Sequence, residues 1–231
     1  MKKKTVILGA LLVAVVAVSV GATLAVTVLG GTEDTAQEAD IQINDIGIVF
    51  TNTGTETVAL GTGKIVPGDE VEVHQSVANQ VDGDDGYDIY LKVEIDKYWK
   101  DEDGDYMEFD SDVVADRLFV EVDGVSTEIP YLEEGEQTQL GNWILTESDM
   151  EHVVMFYIYP LQQGEETTEF ISSILFDGSI DNSFSGMSYS IEATGTAVQA
   201  TNGEAAVAAE LGMFLTFDED GTILSISESK E

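Results

Sequence analysis

The residues whose types and spacing could do chemistry are acidic, and they sit on turns. Asp101, Asp103 and Asp105 alternate through Asp101-Glu-Asp-Gly-Asp105, and Asp82-Gly-Asp-Asp-Gly86 forms a second cluster. Carboxylates at alternate positions of a loop offer the oxygen ligands that Ca²⁺ takes six to eight at a time. The first cluster departs from an EF-hand loop, because its Gly stands fourth rather than sixth and no Glu stands twelfth. Ca²⁺ is therefore the one cofactor the sequence offers, with Asp101, Asp103 and Asp105 as its ligands. The competing reading is an acidic, solvated hairpin tip, which Asp and Gly favour in any case.

Other chemistry lacks its motifs, although the members of a Ser-His-Asp triad need not be near one another in sequence. Cysteine is absent and histidine occurs twice, as His74 and His152. A disulfide framework, zinc ribbons and thiol catalysis are excluded, as is any site needing three imidazoles. Zincin catalysis needs HExxH, two histidines one helical turn apart with a glutamate base, and neither histidine has that context. There is no Gly-x-Ser-x-Gly elbow, no P-loop and no GxGxxG between a strand and a helix. The expectation is a protein without catalysis. Nine basic residues against 45 acidic ones, a net charge of −36, oppose binding to phosphate backbones, so no nucleic-acid partner is expected. With 43% hydrophobic residues the 231-residue chain can still build a core. Trp99 and Trp143 could stack on sugars; packing is the competing reading for both, and the stronger one for Trp143, flanked by Ile144 and Leu145.

The elements that must position these residues are strands. Tyr87, Ile89, Leu91, Val93 and Ile95 alternate with Asp88, Tyr90, Lys92, Glu94 and Asp96, the period-2 pattern of a half-buried strand. Val71, Val73 and Val77 alternate likewise with Glu70, Glu72 and His74, and Ile41–Asn52 opens the series. Asp123-Gly124 supplies the two positive-φ positions of a type I′ turn within a hairpin over Phe119–Ile129. Val153–Tyr159 is a continuous apolar run, expected as a strand buried on both faces. Phe170–Phe176 and Tyr189–Val198 add strands, and Asp218–Gly221 turns a last hairpin between Met213–Phe217 and Thr222–Ile226. Only Gly203–Leu211, capped by Asn202, reads as a helix. The expected fold is all-β, a jelly-roll-like β-sandwich over 41–231 with one short helix.

An N-terminal signal or transmembrane segment precedes it. Lys2, Lys3 and Lys4 lead into an uncharged run from Thr5 to Leu29, longer than the roughly 20 residues that span a bilayer. The positive end stays inside and the rest is exported. Small residues at Thr23 and Ala25 suit a signal peptide over 1–25 cut after Ala25. An uncleaved anchor reaching to Leu29 is the alternative, and Val28-Leu29-Gly30 is a weaker cleavage site. Residues 26–40 read as a flexible lead-in. The C-terminus Ser225–Glu231 has no apolar tail or sorting motif, so the processed chain is expected off the membrane, secreted to the extracellular matrix or cell surface.

Several short motifs, in order, carry a resemblance. The leader KKKTVILGALL is similar to those processed by the SipW-type signal peptidase. Ile65-Val-Pro-Gly-Asp69 is followed by the strand Val71–Asn79, then by Tyr90-Leu-Lys-Val93. Gly141-Asn-Trp-Ile144, Tyr157-Ile-Tyr-Pro-Leu161, Gly164-Glu-Glu-Thr167 and Ala197-Val-Gln-Ala-Thr-Asn202 come later. Together, from Lys2 to about Leu211, the chain resembles the TasA/camelysin family of biofilm-matrix fibre proteins. It departs from that family in its acidity and in having Val26 where an aromatic often follows the leader. The resemblance implies a jelly-roll subunit that forms a homo-polymer outside the cell, with an accessory matrix protein as a further partner. It also implies that an N-terminal segment, freed by processing, completes the sheet of the next subunit. Val26, Thr27, Val28 and Leu29 have the β-branched, apolar character such a donor strand needs. A monomeric cell-surface domain binding carbohydrate or cations is the alternative.

Overall fold

The computed structural model of the protein describes residues 18–19, 48–52, 68–80, 87–100, 114–178, 180, 184, 188–200, 208 and 211–227. Thirteen strands run in chain order through them: β1 Val18–Ser19, β2 Ile48–Asn52, β3 Glu70–Asn79, β4 Ile89–Lys100, β5 Asp116–Val122, β6 Val125–Glu128, β7 Thr138–Leu140, β8 Trp143–Ser148, β9 His152–Tyr157, β10 Ile171–Phe176, β11 Ser188–Gln199, β12 Phe214–Phe217 and β13 Ile223–Ser227. Among the described residues α-helical conformation is confined to Ala208 and Leu211 and 3₁₀ conformation to Phe184 and Ala200, so the fold is all-β. Most of the expected helix lies outside the described residues, as do the expected leader apart from β1, the candidate donor segment Val26–Leu29 and both acidic clusters.

One sheet has the order β1-β11-β4-β9-β8-β7 and a second the order β2-β3-β10-β5-β6, with a separate β12-β13 hairpin. Every pairing is antiparallel. The alternation along β4 decides what lies between the sheets. Ile89, Leu91, Val93 and Ile95 enter one core with Val153, Met155 and Tyr157 of β9, Leu118 and Val120 of β5, and Ile171, Ile174 and Phe176 of β10. Both sheets thus bury their apolar faces against each other, the arrangement that an amphipathic sheet requires.

The apolar run in β9 is explained by a second core on the other side of its sheet. Val154, Phe156 and Ile158 pack there with Tyr90, Ile144 and Val198 against Leu215, Ile223 and Ile226 of the hairpin and against Leu211. A strand covered on both faces has no polar phase to show. Phe156 is fully buried, which stabilises by roughly 1.5–3 kcal/mol relative to exposure. Tyr90 holds the third layer in place, donating from its hydroxyl to the Gly221 carbonyl at 2.9 Å.

Turn chemistry follows the sequence. Asp123 (φ 52°) and Gly124 (φ 78°) join β5 to β6 as a type I′ turn. Strand β8 was not expected. It lacks alternation because Trp143 and Leu145 enter the first core and Ile144 the second, and an extra residue, Thr146, bulges between Leu145↔Met155 and Glu147↔Val154.

Candidate functional site

Three places merit attention: the outer edge of β11, the polar side of β3, and a polar group buried between the sheets.

Strand β11 pairs with β4 along its full length, from Ser188↔Lys100 to Gln199↔Ile89. Its other side is met, among the described residues, only by β1, through Val18↔Ala197 and Ser19↔Thr196. The twelve-residue strand therefore borders the sheet with a two-residue partner drawn from the apolar N-terminal run. Behind that edge, Ile191 and Ala193 are only partly buried against the main core. An edge of this kind presents backbone N–H and C=O groups to any extended segment.

On β3, Ile171↔Gln75 and Ser173↔Glu72 pair with β10 on either side of a register shift, so β3 carries one extra residue. His74 sits in that bulge with φ 50°, a left-handed conformation that usually falls to glycine. Its Nδ1 lies 3.0 Å from Glu169 Oε2, and its Nε2 lies 3.9 Å from Glu72. The hydrogen bond to Glu169 raises the imidazole pKa; burial opposes this, and the charges of Glu169, Glu72 and Glu121 add to the rise. Nearby, Ser76 Oγ donates to Glu166, and Ser173 Oγ donates to Glu70 at 2.7 Å. His152 is elsewhere, with Nδ1 2.7 Å from Asp96 Oδ1. Each histidine thus lies on a strand, partly exposed, within hydrogen-bond distance of a carboxylate, and the two share no site. Among the described residues no group of three or more His, Asp or Glu could hold a metal ion. The candidate Ca²⁺ ligands Asp101, Asp103 and Asp105, and the expected cleavage residue Ala25, lie outside the described residues.

The tryptophans are core residues. Trp143 is 1% exposed and stacks edge-on with Tyr157 and Phe170; its Nε1 donates to Thr168 Oγ1 at 3.1 Å. Trp99, 7% exposed, meets Phe176, Phe184 and Tyr189 edge-on. Neither presents a face to solvent, which corrects the expectation that they could stack on sugars. Trp99 continues the inward phase of β4, two residues past Lys97.

Lys97 itself is the residue the sequence pattern should have flagged. It follows Ile89, Leu91, Val93 and Ile95 on the inward phase, so its charge points into the core. Its Nζ lies 3.2 Å from Asp116 Oδ2, and both side chains are nearly inaccessible. Tyr189 donates its hydroxyl to the same Oδ2 at 2.9 Å, and Tyr131 donates to the Asp116 carbonyl at 3.3 Å. The Tyr131 ring lies over the ammonium, 5.5 Å from Nζ to centroid. Burial pushes the Tyr131 hydroxyl up to about 12 and the Tyr189 hydroxyl well above its ordinary value, with the Asp116 charge adding in both.

One further polar hub lies at the end of β3. Asn79, fully buried, donates from Nδ2 to the carbonyls of Tyr87 (2.8 Å) and Leu161 (3.0 Å), and its backbone pairs with Gly164 and Glu165. It ties the end of β3 to the segments flanking β4 and β10. No family model, no curated protein and no solved structure matches the chain.

Proposed function

We propose that the protein is a structural subunit of extracellular, biofilm-matrix fibres of the TasA/camelysin kind, with a jelly-roll-like course of chain and no catalysis. Subunits assemble as a homo-polymer by strand addition. The observation that carries this reading is the β11 edge, a long strand at the border of a sheet whose outer side is met by two residues of the N-terminal apolar run. Those residues, Val18 and Ser19, precede Ala25. Cleavage after Ala25 by a SipW-type peptidase removes them and leaves the edge open. Val26-Thr-Val-Leu29 of a neighbouring subunit then supplies backbone partners for the edge and apolar side chains for the partly buried Ile191 and Ala193 behind it. Processing thereby licenses assembly, because the leader holds the donor segment until it is cut.

The test is negative-stain electron microscopy of protein beginning at Val26 beside protein beginning at Ile41. Filaments from the longer chain alone support donor-strand assembly with the donor before Ile41. Filaments from neither chain overturn the fibre reading in favour of a monomeric surface domain. A mature N-terminus found beyond Leu29 by sequencing would remove Val26–Leu29 as the donor.

A further inference from the structure

The buried group between the sheets has a composition that goes beyond an ion pair. Lys97 comes from β4 of the six-stranded sheet, Asp116 from β5 of the five-stranded sheet, and Tyr189 from β11. The lysine and aspartate side chains are 2% and 5% exposed. Tyr189, bonded to Asp116, belongs to a cluster of rings in mutual contact with Trp99 and Phe176, at centroid separations of 5.9 Å (Trp99–Phe176), 5.0 Å (Trp99–Tyr189) and 5.2 Å (Phe176–Tyr189). Two full charges in such surroundings carry a large desolvation cost. Passing one proton from the ammonium to the carboxylate within this contact, a step of the reaction proposed below, would remove both charges. The product is a neutral amine touching a neutral carboxyl group. Nζ is held 3.2 Å from Oδ2 of the carboxyl group whose carbon it would attack, and groups held together in one orientation gain an effective molarity that reaches about 10⁵–10⁸ M in well-aligned cases.

We propose that Lys97 Nζ and Asp116 Cγ condense to an amide, an isopeptide cross-link that joins the two sheets covalently through the core. The Nζ lone pair attacks Cγ of the protonated carboxyl group. Negative charge builds on Oδ2, where the Tyr189 hydroxyl already donates; burial keeps that phenol protonated and able to do so. Oδ1, carrying the acid proton, takes one proton from the nitrogen, and the Cγ–Oδ1 bond breaks. One C–N bond forms, one C–O bond is lost and one water leaves; no oxidant or cofactor takes part. The near-inaccessibility of both side chains keeps bulk water from the group and so opposes hydrolysis. The chain has no cysteine, so no disulfide can supply such a brace. The inference stands independently of the fibre reading.

Mass spectrometry of the denatured full chain tests it. The expected mass is one water below that calculated for the N-terminus found by sequencing. Trypsin should leave Lys97 uncut and yield 93–100 joined to 101–117 as a branched peptide. Lys97→Arg should return the calculated mass. Asp116→Asn gives a sharper check: its condensation expels ammonia rather than water, so its product has the same mass as cross-linked wild type. Wild-type protein at its full calculated mass, with trypsin cutting at Lys97, would overturn the proposal and leave an ion pair only. That reading needs no variant, so failure of either variant to fold does not obscure it.

Discussion

His74 Nδ1 and Glu169 Oε2 face each other at 3.0 Å across the bulge between β3 and β10, and this pair makes stability depend on pH. The folded protein raises the histidine pKa above its ordinary 6.5, chiefly through the Glu169 hydrogen bond. A raised value means that the folded state holds the proton more tightly than the unfolded chain. The stabilisation is therefore complete below about pH 6.5 and is lost as the pH rises through the folded value. Glu169→Gln should lower the melting temperature more at about pH 5.5 than at about pH 8. Thermal unfolding of both proteins at the two pH values checks this; an equal difference at both would remove the pair from the pH dependence.

The same histidine carries a backbone cost. Its φ of 50° lies in the left-handed region, which costs a non-glycine residue about 1–2 kcal/mol. His74→Gly removes that cost but frees the unfolded chain by about 0.4–1 kcal/mol. His74→Ala loses the ion pair and keeps the strain. The glycine variant should therefore be the more stable of the two at every pH, by up to about 1 kcal/mol. Urea unfolding of the two variants side by side measures the gap, and an alanine variant equal or better would show that the bulge relaxes.

The third layer gives a prediction about packing. Phe156 is fully buried in the core between the six-stranded sheet and the β12–β13 hairpin. Phe156→Ala should cost about 3–5 kcal/mol, the range for deleting a large buried ring. Tyr90→Phe removes only the hydroxyl bond to Gly221 and should cost about 1 kcal/mol. If denaturant unfolding gave two transitions in Tyr90→Phe and one in wild type, the hairpin would be a separately melting unit.

These elements differ in how far they could be read from the residues alone. Strand β4 was visible because its two faces meet different surroundings, and β9 because both of its faces are buried. The β5–β6 turn was visible because Asp-Gly is a local solution to two positive φ angles. Strand β8 was hidden, since its residues divide between two cores and a bulge breaks the phase. The His74 bulge was hidden for the same reason: an extra residue on one strand is defined only by its partner. Lys97 was legible as an inward-phase lysine, yet Asp116 could not be named as its counterpart, because pairing across sheets is non-local. The contact of β1 with β11 links residues at opposite ends of the chain, and nothing local in either strand encodes it.

Charge gives the last prediction, and it bears on the proposed fibre. The chain carries −36, and the proposed processing would take Lys2, Lys3 and Lys4 with it, so that processed subunits would repel more strongly still. Strand addition brings such subunits into contact over a few ångströms. Exposed charges act over about 10 Å at 0.1 M salt and about 3 Å at 1 M, so assembly should be suppressed in dilute buffer and released by salt. The sedimentable fraction of protein beginning at Val26 should rise steeply between these conditions. Sodium and calcium chlorides at matched ionic strength separate screening from ligation. Equal sedimentation means that screening suffices. An excess with calcium that disappears when Asp101, Asp103 and Asp105 are all changed to Asn would assign a bound cation to that loop, because amides keep the oxygens but lose the charge that Ca²⁺ requires. A fraction that falls with salt would show that attraction between charged patches, rather than strand pairing against repulsion, drives assembly.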